Sequence, residues 1–148
     1  FLMELQITAV KNGTVIDHIP SDKTMKIVEL LGLTSSNERI TVAFNIDSSR
    51  SGKKGIIKIA DRKLSSAEIE KIALIAEKST INIIENFKVV DKKYPTLPEV
   101  LHNIIKCQNN KCITNIEDIE SKFEVEDENS LRCFYCERTM DKKEAVIK

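Results

Sequence analysis

The chain has 148 residues, room for one ordinary domain or two small ones, and its 23 Lys and Arg balance 23 Asp and Glu to a formal net charge of zero. That balance excludes a polycation built to coat nucleic acid, and no apolar run reaches the roughly 20 residues of a membrane span. The charge is unevenly divided: the stretch from Cys107 to the end holds 7 basic and 10 acidic residues, which leaves 16 and 13 in residues 1–106, a mildly basic front and an acidic tail.

Taken in order, Leu5–Val10 alternates as a strand does, and Lys11-Asn12-Gly13 is a turn. A second extended run, Thr14–Ile19, stops at Pro20. Ser21 or Asp22 is placed to cap a helix whose apolar face is Met25, Val28 and Leu31, with Ile27 and Leu30 beside it and Gly32 at its end. Arg39–Ile46 is a β-branched strand, residues 47–54 form a polar loop, and Ile56–Ala60 returns as a strand. Ser65-Ser66-Ala67-Glu68 matches a capping box, and the helix it opens would bury Ile69, Ile72, Ala73 and Ala76. Thr80–Ile84 is a strand, Glu85-Asn86 a turn and Phe87–Val90 a further strand. The order β-α-β-β-α-β plus one strand predicts an α+β protein. Its N-terminal part is a ferredoxin-like α/β sandwich, an antiparallel sheet with two helices on one face. Asp91–Pro98 is expected to be a linker, and Pro98 to open a short helix carrying Val100, Leu101, Ile104 and Ile105.

The four cysteines fall in two pairs, Cys107/Cys112 and Cys133/Cys136, with twenty residues between the pairs. Two facing knuckles of this kind make a tetrahedral thiolate cage, so a small C-terminal all-β zinc ribbon with one structural Zn²⁺ is expected. Two disulfides or a cysteine-ligated iron site are the alternatives. The reduced, paired thiols suit a cytoplasmic chain. With all four cysteines used, no thiol is left as a nucleophile, and no phosphate-binding loop, dinucleotide fingerprint or serine-nucleophile motif is present. Of the two histidines, His102 reads as a surface or packing residue. Asp17-His18 would make a ligand site if Lys54, Lys58 and Lys92 converge on it. A zinc-ribbon protein that binds nucleic acid is the competing reading, and the acidic tail argues against it.

Gly13-Thr-Val-Ile-Asp-His-Ile-Pro20, Arg39-Ile-Thr41, Ile57-Lys58-Ile59, Thr80-Ile-Asn82, Leu97-Pro98 and Cys133-x-Tyr135-Cys136-Glu137 together resemble the regulatory chain of aspartate carbamoyltransferase, over nearly the full length. The resemblance implies a non-catalytic allosteric subunit of pyrimidine biosynthesis. Residues 1–97 would be a nucleotide-binding domain that pairs with a second regulatory chain. Residues 98–148 would be a zinc domain that docks on catalytic chains. The implied effectors are CTP, often with UTP, as inhibitors and ATP as activator, with neither nucleic acid nor membrane as partner. Carried over residue by residue, Asp17 accepts from ribose hydroxyls, His18 lies by the phosphates, Lys58 reaches the ribose and base, and Lys92 meets the triphosphate. Lys54 is a further phosphate candidate. Ala9, Val10, Val15, Ile56, Phe87 and Val89 line the base pocket with Asn82 near it, and Asn109 and Glu137 contact catalytic chains. Glu4 and Thr8 depart from the family pattern near a second nucleotide or metal position, and no such site is carried over.

Overall fold

The computed structural model describes residues 9–49 and 52–148, and the chain forms two compact units. One comprises the residues through Ser65 together with Lys78–Pro95, and the other Ser66–Glu77 together with Thr96–Lys148.

The first unit is built on strands β1 (Gly13–Pro20), β2 (Ile40–Ser48), β3 (Gly52–Ala60), β4 (Thr80–Glu85) and β5 (Lys88–Lys93). They pair antiparallel in the order β2-β3-β1-β4-β5, with β1 at the centre. On one face Ile16 sits opposite Ile57 and Ile81, and Thr14 opposite Ile59, all shielded from solvent. Helix α1 (Thr24–Leu30) adds Ile27 and Val28 to this core and packs on β3. The approach is close enough that a Cβ at Gly55 would lie 1.8 Å from Thr24 Oγ1, so only glycine fits there. Gly32 ends the helix region in the left-handed conformation, φ 64°, as its position predicts.

Several expectations change here. The strand Leu5–Val10 lies outside the described residues except for Ala9 and Val10, which are not in a strand. Neither Ser21 nor Asp22 caps α1. Ser21 Oγ is occupied by the Asn45 backbone N–H at 2.9 Å, and a 3-10 turn, Ser21–Lys23, leads into the helix instead. Met25, expected on the apolar face, is exposed, and the helix buries Ile27 and Val28 instead. The β4–β5 hairpin closes at Glu85 and Lys88, so its two loop residues are Asn86 and Phe87, and β5 runs on to Lys93 through the first part of the expected linker. Both loop residues have positive φ (50° and 66°), the conformation whose twist matches a two-residue hairpin.

The second unit contains α2 (Ser66–Ile75), which begins one residue after Ser65 and buries Ile72, Ala73 and Leu74. Strands β6 (Val100–His102), β7 (Ile105–Lys106), β8 (Lys122–Val125), β9 (Ser130–Cys133), β10 (Thr139–Asp141) and β11 (Val146–Ile147) form a four-stranded sheet of order β10-β9-β8-β6 and a β11-β7 pair. The helix expected at Pro98 is therefore two short strands. Leu101 pairs with Phe123 and Ile105 with Ile147, and Asn103, at φ 56°, breaks the chain between them. β-branched Val100, Ile104 and Ile105 suit that extended state. One helical turn, α3 (Ile113–Ile116), follows Cys112, so the unit is not purely β. Its core gathers Leu74, Leu101, Ile104, Ile105, Phe123 and Leu131 around Cys107, Cys112 and Cys133. No helix among the described residues is long and apolar enough to cross a membrane.

Candidate functional site

On the face of the first unit's sheet away from the isoleucine core, strand pairing aligns five residues across five strands. Thr41 is opposite Lys58, Lys58 opposite Val15, Val15 opposite Asn82, and Asn82 opposite Lys92. Directly paired residues on antiparallel strands project to the same side, so these side chains form one row. Alternation adds Lys54 and Ile56 from β3, Asp17 from β1 and Thr80 from β4 to the same face. An irregularity in the β4–β5 pairing sets Val89 opposite Ile84 and so adds it as well.

Four of the candidates from separate strands, Val15, Lys58, Asn82 and Lys92, thus meet in a single line. Lys58 is half-buried and Lys92 exposed, and among the described residues neither has a carboxylate within ion-pair distance. The Asn82 amide is anchored, its Nδ2 donating to Val15 O at 3.2 Å.

Asp17 stands one step along β1. Its carboxylate holds the Lys54 ammonium at 2.9 Å and accepts the His18 backbone N–H at 2.7 Å, and His18 Nε2 is 3.8 Å away. Burial alone would push this carboxyl up. The Lys54 and His18 hydrogen bonds and the neighbouring positive charges outweigh that and hold it below its ordinary value. His18 occupies a β-bulge between Ile16 and Ile19 and has φ 56°, a conformation that bulges use to re-aim a side chain.

The proposed base-pocket residues assemble less fully. Val10 is buried and Ala9 exposed, while Phe87 and Val89 stand 61 % and 57 % exposed at the β4–β5 hairpin. The Phe87 N–H donates to Lys11 O at 2.9 Å, which ties residues 9–11 to the hairpin loop. Thr80, quoted in a motif but not singled out as a site residue, faces Asp17 directly across β1 and β4. Counting two back from Asn82 along a strand places it on the site face, the one signal the chain offered.

In the second unit the four Sγ atoms lie within 4.8 Å of one another. Cys107 and Cys136 are 3.6 Å apart and Cys112 and Cys133 3.7 Å, far beyond the S–S bond of roughly 2.05 Å, and all four are free thiols. Backbone N–H groups serve the sulfurs: Asn109 on Cys107, Tyr135 and Cys136 on Cys133, and Arg138 on Cys136. Burial pushes Cys107 up to about 12 and raises Cys133, each against those N–H bonds and helped by neighbouring thiols. At Cys136 burial is outweighed by hydrogen bonds from the Arg138 backbone, the Asn109 side chain and its neighbours, and it falls to about 7. Thiols crowded together, three of them buried, with donors aimed at their sulfurs, fit a cation that would complete the cage.

Asn109 therefore faces inward, to Cys136 and the Lys111 N–H, while Glu137 is exposed in a left-handed turn at φ 63°. Asn115 braces the first knuckle by donating to Cys107 O and Asn109 O.

Two family models match the chain: the allosteric domain of the aspartate carbamoyltransferase regulatory chain over residues 5–96, and the metal binding domain of the same regulatory chain over residues 99–146. Among the relatives, the aspartate carbamoyltransferase regulatory chain of Pyrococcus horikoshii is 48 % identical over 147 residues, 97 % of each chain. That of Bacteroides thetaiotaomicron is 47 % identical over 145 residues, 97 % of this chain and 95 % of the relative. That of Methanothermobacter thermautotrophicus is 42 % identical over 144 residues, 95 % of this chain and 92 % of the relative.

Proposed function

Because this chain belongs to the family of aspartate carbamoyltransferase regulatory chains, we propose that its open sheet face binds the nucleoside triphosphates CTP, UTP and ATP and that its C-terminal domain, held by zinc, passes their effect to catalytic chains. The chain is a regulatory subunit and not a catalytic one. The observation that carries the nucleotide reading is the row with two lysines, Lys58 and Lys92, that have no ion-pair partner among the described residues, aligned beside the Asp17–Lys54–His18 cluster. A lysine without a carboxylate is the point charge a triphosphate takes. Asp17 suits the ribose hydroxyls, His18 and Lys54 suit the phosphates, and Val15, Ile56, Val89, Phe87, Ala9 and Val10 offer apolar surface to the base. Effectors act only through unequal affinity for two quaternary states, CTP and UTP favouring the less active and ATP the more active.

The strand order β2-β3-β1-β4 with all pairs antiparallel supports the ferredoxin-like reading. The two matched spans support a domain boundary near residue 97. A tetrahedral Zn–S distance of about 2.3 Å requires S–S separations of about 3.8 Å. The observed 3.6 and 3.7 Å support zinc in a ribbon held by Cys107, Cys112, Cys133 and Cys136. Four protein thiolates leave no open position, so the metal supplies structure alone. Exposed Phe134 and Tyr135, edge to face on the second knuckle and followed by exposed Glu137, offer apolar surface suited to docking on catalytic chains.

The homodimer has a natural seam. Edge strand β2 has no charged residue before Asp47 and exposes Phe44, whereas edge strand β5 carries Lys88, Asp91, Lys92 and Lys93, the charges that blunt an edge against pairing. We place the partner regulatory chain along β2, in the cytoplasm where free thiols persist.

Lys92→Ala is expected to weaken CTP and ATP binding by roughly 1.5–3 kcal/mol, the scale of a charge-assisted hydrogen bond. Titration calorimetry on the regulatory dimer measures it, and unchanged affinities would remove the row from the nucleotide site.

A further inference from the structure

Backbone N–H groups serve the sulfurs of Cys107, Cys133 and Cys136. Cys112 is placed differently. It stands at the N-terminal boundary of α3 with φ −65° and ψ 138°, and its side chain takes no hydrogen bond from the backbone of that turn. A side chain meets its sulfur instead: Thr114 Oγ1 lies 3.2 Å from Cys112 Sγ. Cys112 is buried, so water does not stand in for this contact, and Thr114 itself is half-buried.

The direction of the bond depends on what the sulfur holds. In a free thiol either group can donate. A sulfur bound to a metal carries no proton and only accepts, and the hydroxyl then donates. A hydrogen bond to a charged acceptor is roughly twice as strong as one between neutral groups, so the contact favours the metal-bound chain. Threonine is a poor helix former, and the turn by itself does not call for it. The backbone around the contact is already held. Asn115 Nδ2 donates to Cys107 O at 2.7 Å and Asn109 O at 2.8 Å, and the Asn115 N–H to Cys112 O at 2.9 Å. The hydroxyl therefore acts on the orientation and charge of one sulfur in a knuckle whose shape is set by other bonds.

We propose that Thr114 is a positioning residue for the metal centre, its hydroxyl donating to the Cys112 sulfur and holding it towards the other three. This rests on the four cysteines holding zinc.

Two substitutions divide the side chain. Thr114→Val keeps the methyl group and removes the hydroxyl, and Thr114→Ser does the reverse. Competition of the intact chain with a chromophoric chelator is expected to show zinc held roughly ten- to a hundredfold less tightly by Thr114→Val, the usual worth of a partner to a metal ligand, and close to the parent's affinity in Thr114→Ser. With Co²⁺ in place of zinc, the sulfur-to-metal charge-transfer band is expected at longer wavelength in Thr114→Val and unmoved in Thr114→Ser, because a hydrogen bond lowers the energy of the sulfur lone pairs. A packing role would leave that band in place and would suffer from serine at least as much as from valine. Thr114→Ala beside Thr114→Ser repeats the comparison without the methyl group, for the case in which valine does not fold. Unchanged zinc affinity on losing the hydroxyl, or an equal loss in Thr114→Ser, overturns the assignment and leaves the metal reading intact, since the parent chain still takes up zinc. A parent chain that binds neither zinc nor Co²⁺ overturns both.

Discussion

Asp17 shows how a single side chain ties the site to stability. Its carboxyl is held below its ordinary value because the Lys54 ammonium and the His18 backbone N–H favour the charged form more than burial opposes it. The folded chain therefore binds a proton at Asp17 less readily than the unfolded chain does. Its contribution to stability is present above the ordinary carboxylate range and is lost as pH falls through the depressed value. Thermal melts of the parent chain and of Asp17→Asn are expected to differ most near neutrality and to converge in acid. A difference that grows in acid would show that burial, not Lys54, controls this carboxyl. The same reasoning explains why Lys58 and Lys92 stand out: Lys54 has its counter-charge in Asp17, and among the described residues they have none.

At the scale of elements, the β4–β5 hairpin holds Phe87 in a left-handed conformation that side chains other than Gly and Asn resist. Phe87→Gly is expected to stabilise the first unit by about 0.5–1 kcal/mol by relieving that conformation, read as a higher denaturant midpoint at unchanged slope. A lower midpoint would mean that the half-exposed ring contributes more packing than its backbone costs.

The hairpin also shows what a single sequence reveals. Alternation in Thr80–Ile84 marks the strand, and Asn86 marks a turn, yet nothing local says that Phe87 belongs to the loop or that β5 continues through Lys93. The stretch after Pro98 fails for a related reason. Apolar residues at 100, 101, 104 and 105 fit a helix face and two short strands equally well, and their partners Phe123 and Ile147 are remote in sequence. The cysteine pairs were legible because metal-ligand spacing is local. The row of Thr41, Lys58, Val15, Asn82 and Lys92 was not, since it depends on register between strands, which only the folded sheet fixes. Lys58 and Lys92 were raised as lysines that could converge on Asp17 and His18, Val15 and Asn82 came from the family resemblance, and Thr41 and Thr80 were quoted in motifs without being named as site residues.

At the scale of the molecule, the chain divides its labour between a sheet that presents polar groups on one face and a small unit whose core is built around thiols. Helix α2 belongs by its contacts to the second unit. Leu74 joins Leu101, Ile104 and Phe123 in that core, and Glu77 pairs with Lys142 at 3.2 Å. With so few large apolar groups, a metal held by the four cysteines would supply much of that unit's folding free energy, on the order of 10 kcal/mol in sites of this type. Chelation, or Cys112→Ser, is expected to unfold the C-terminal unit and abolish assembly with catalytic chains while the dimer still binds CTP. Normal assembly of metal-free chain would show that the docking surface does not need the cage.

The most direct test of the whole account is to mix the zinc-loaded chain with catalytic chains of aspartate carbamoyltransferase and follow the rate of carbamoyl transfer to aspartate as CTP or ATP is added. The account predicts a larger complex whose rate responds to both nucleotides in opposite directions, and a response lost in Lys92→Ala. A complex that forms but ignores both nucleotides would contradict it, reducing the chain to a metal-stabilised clamp with no signal to carry.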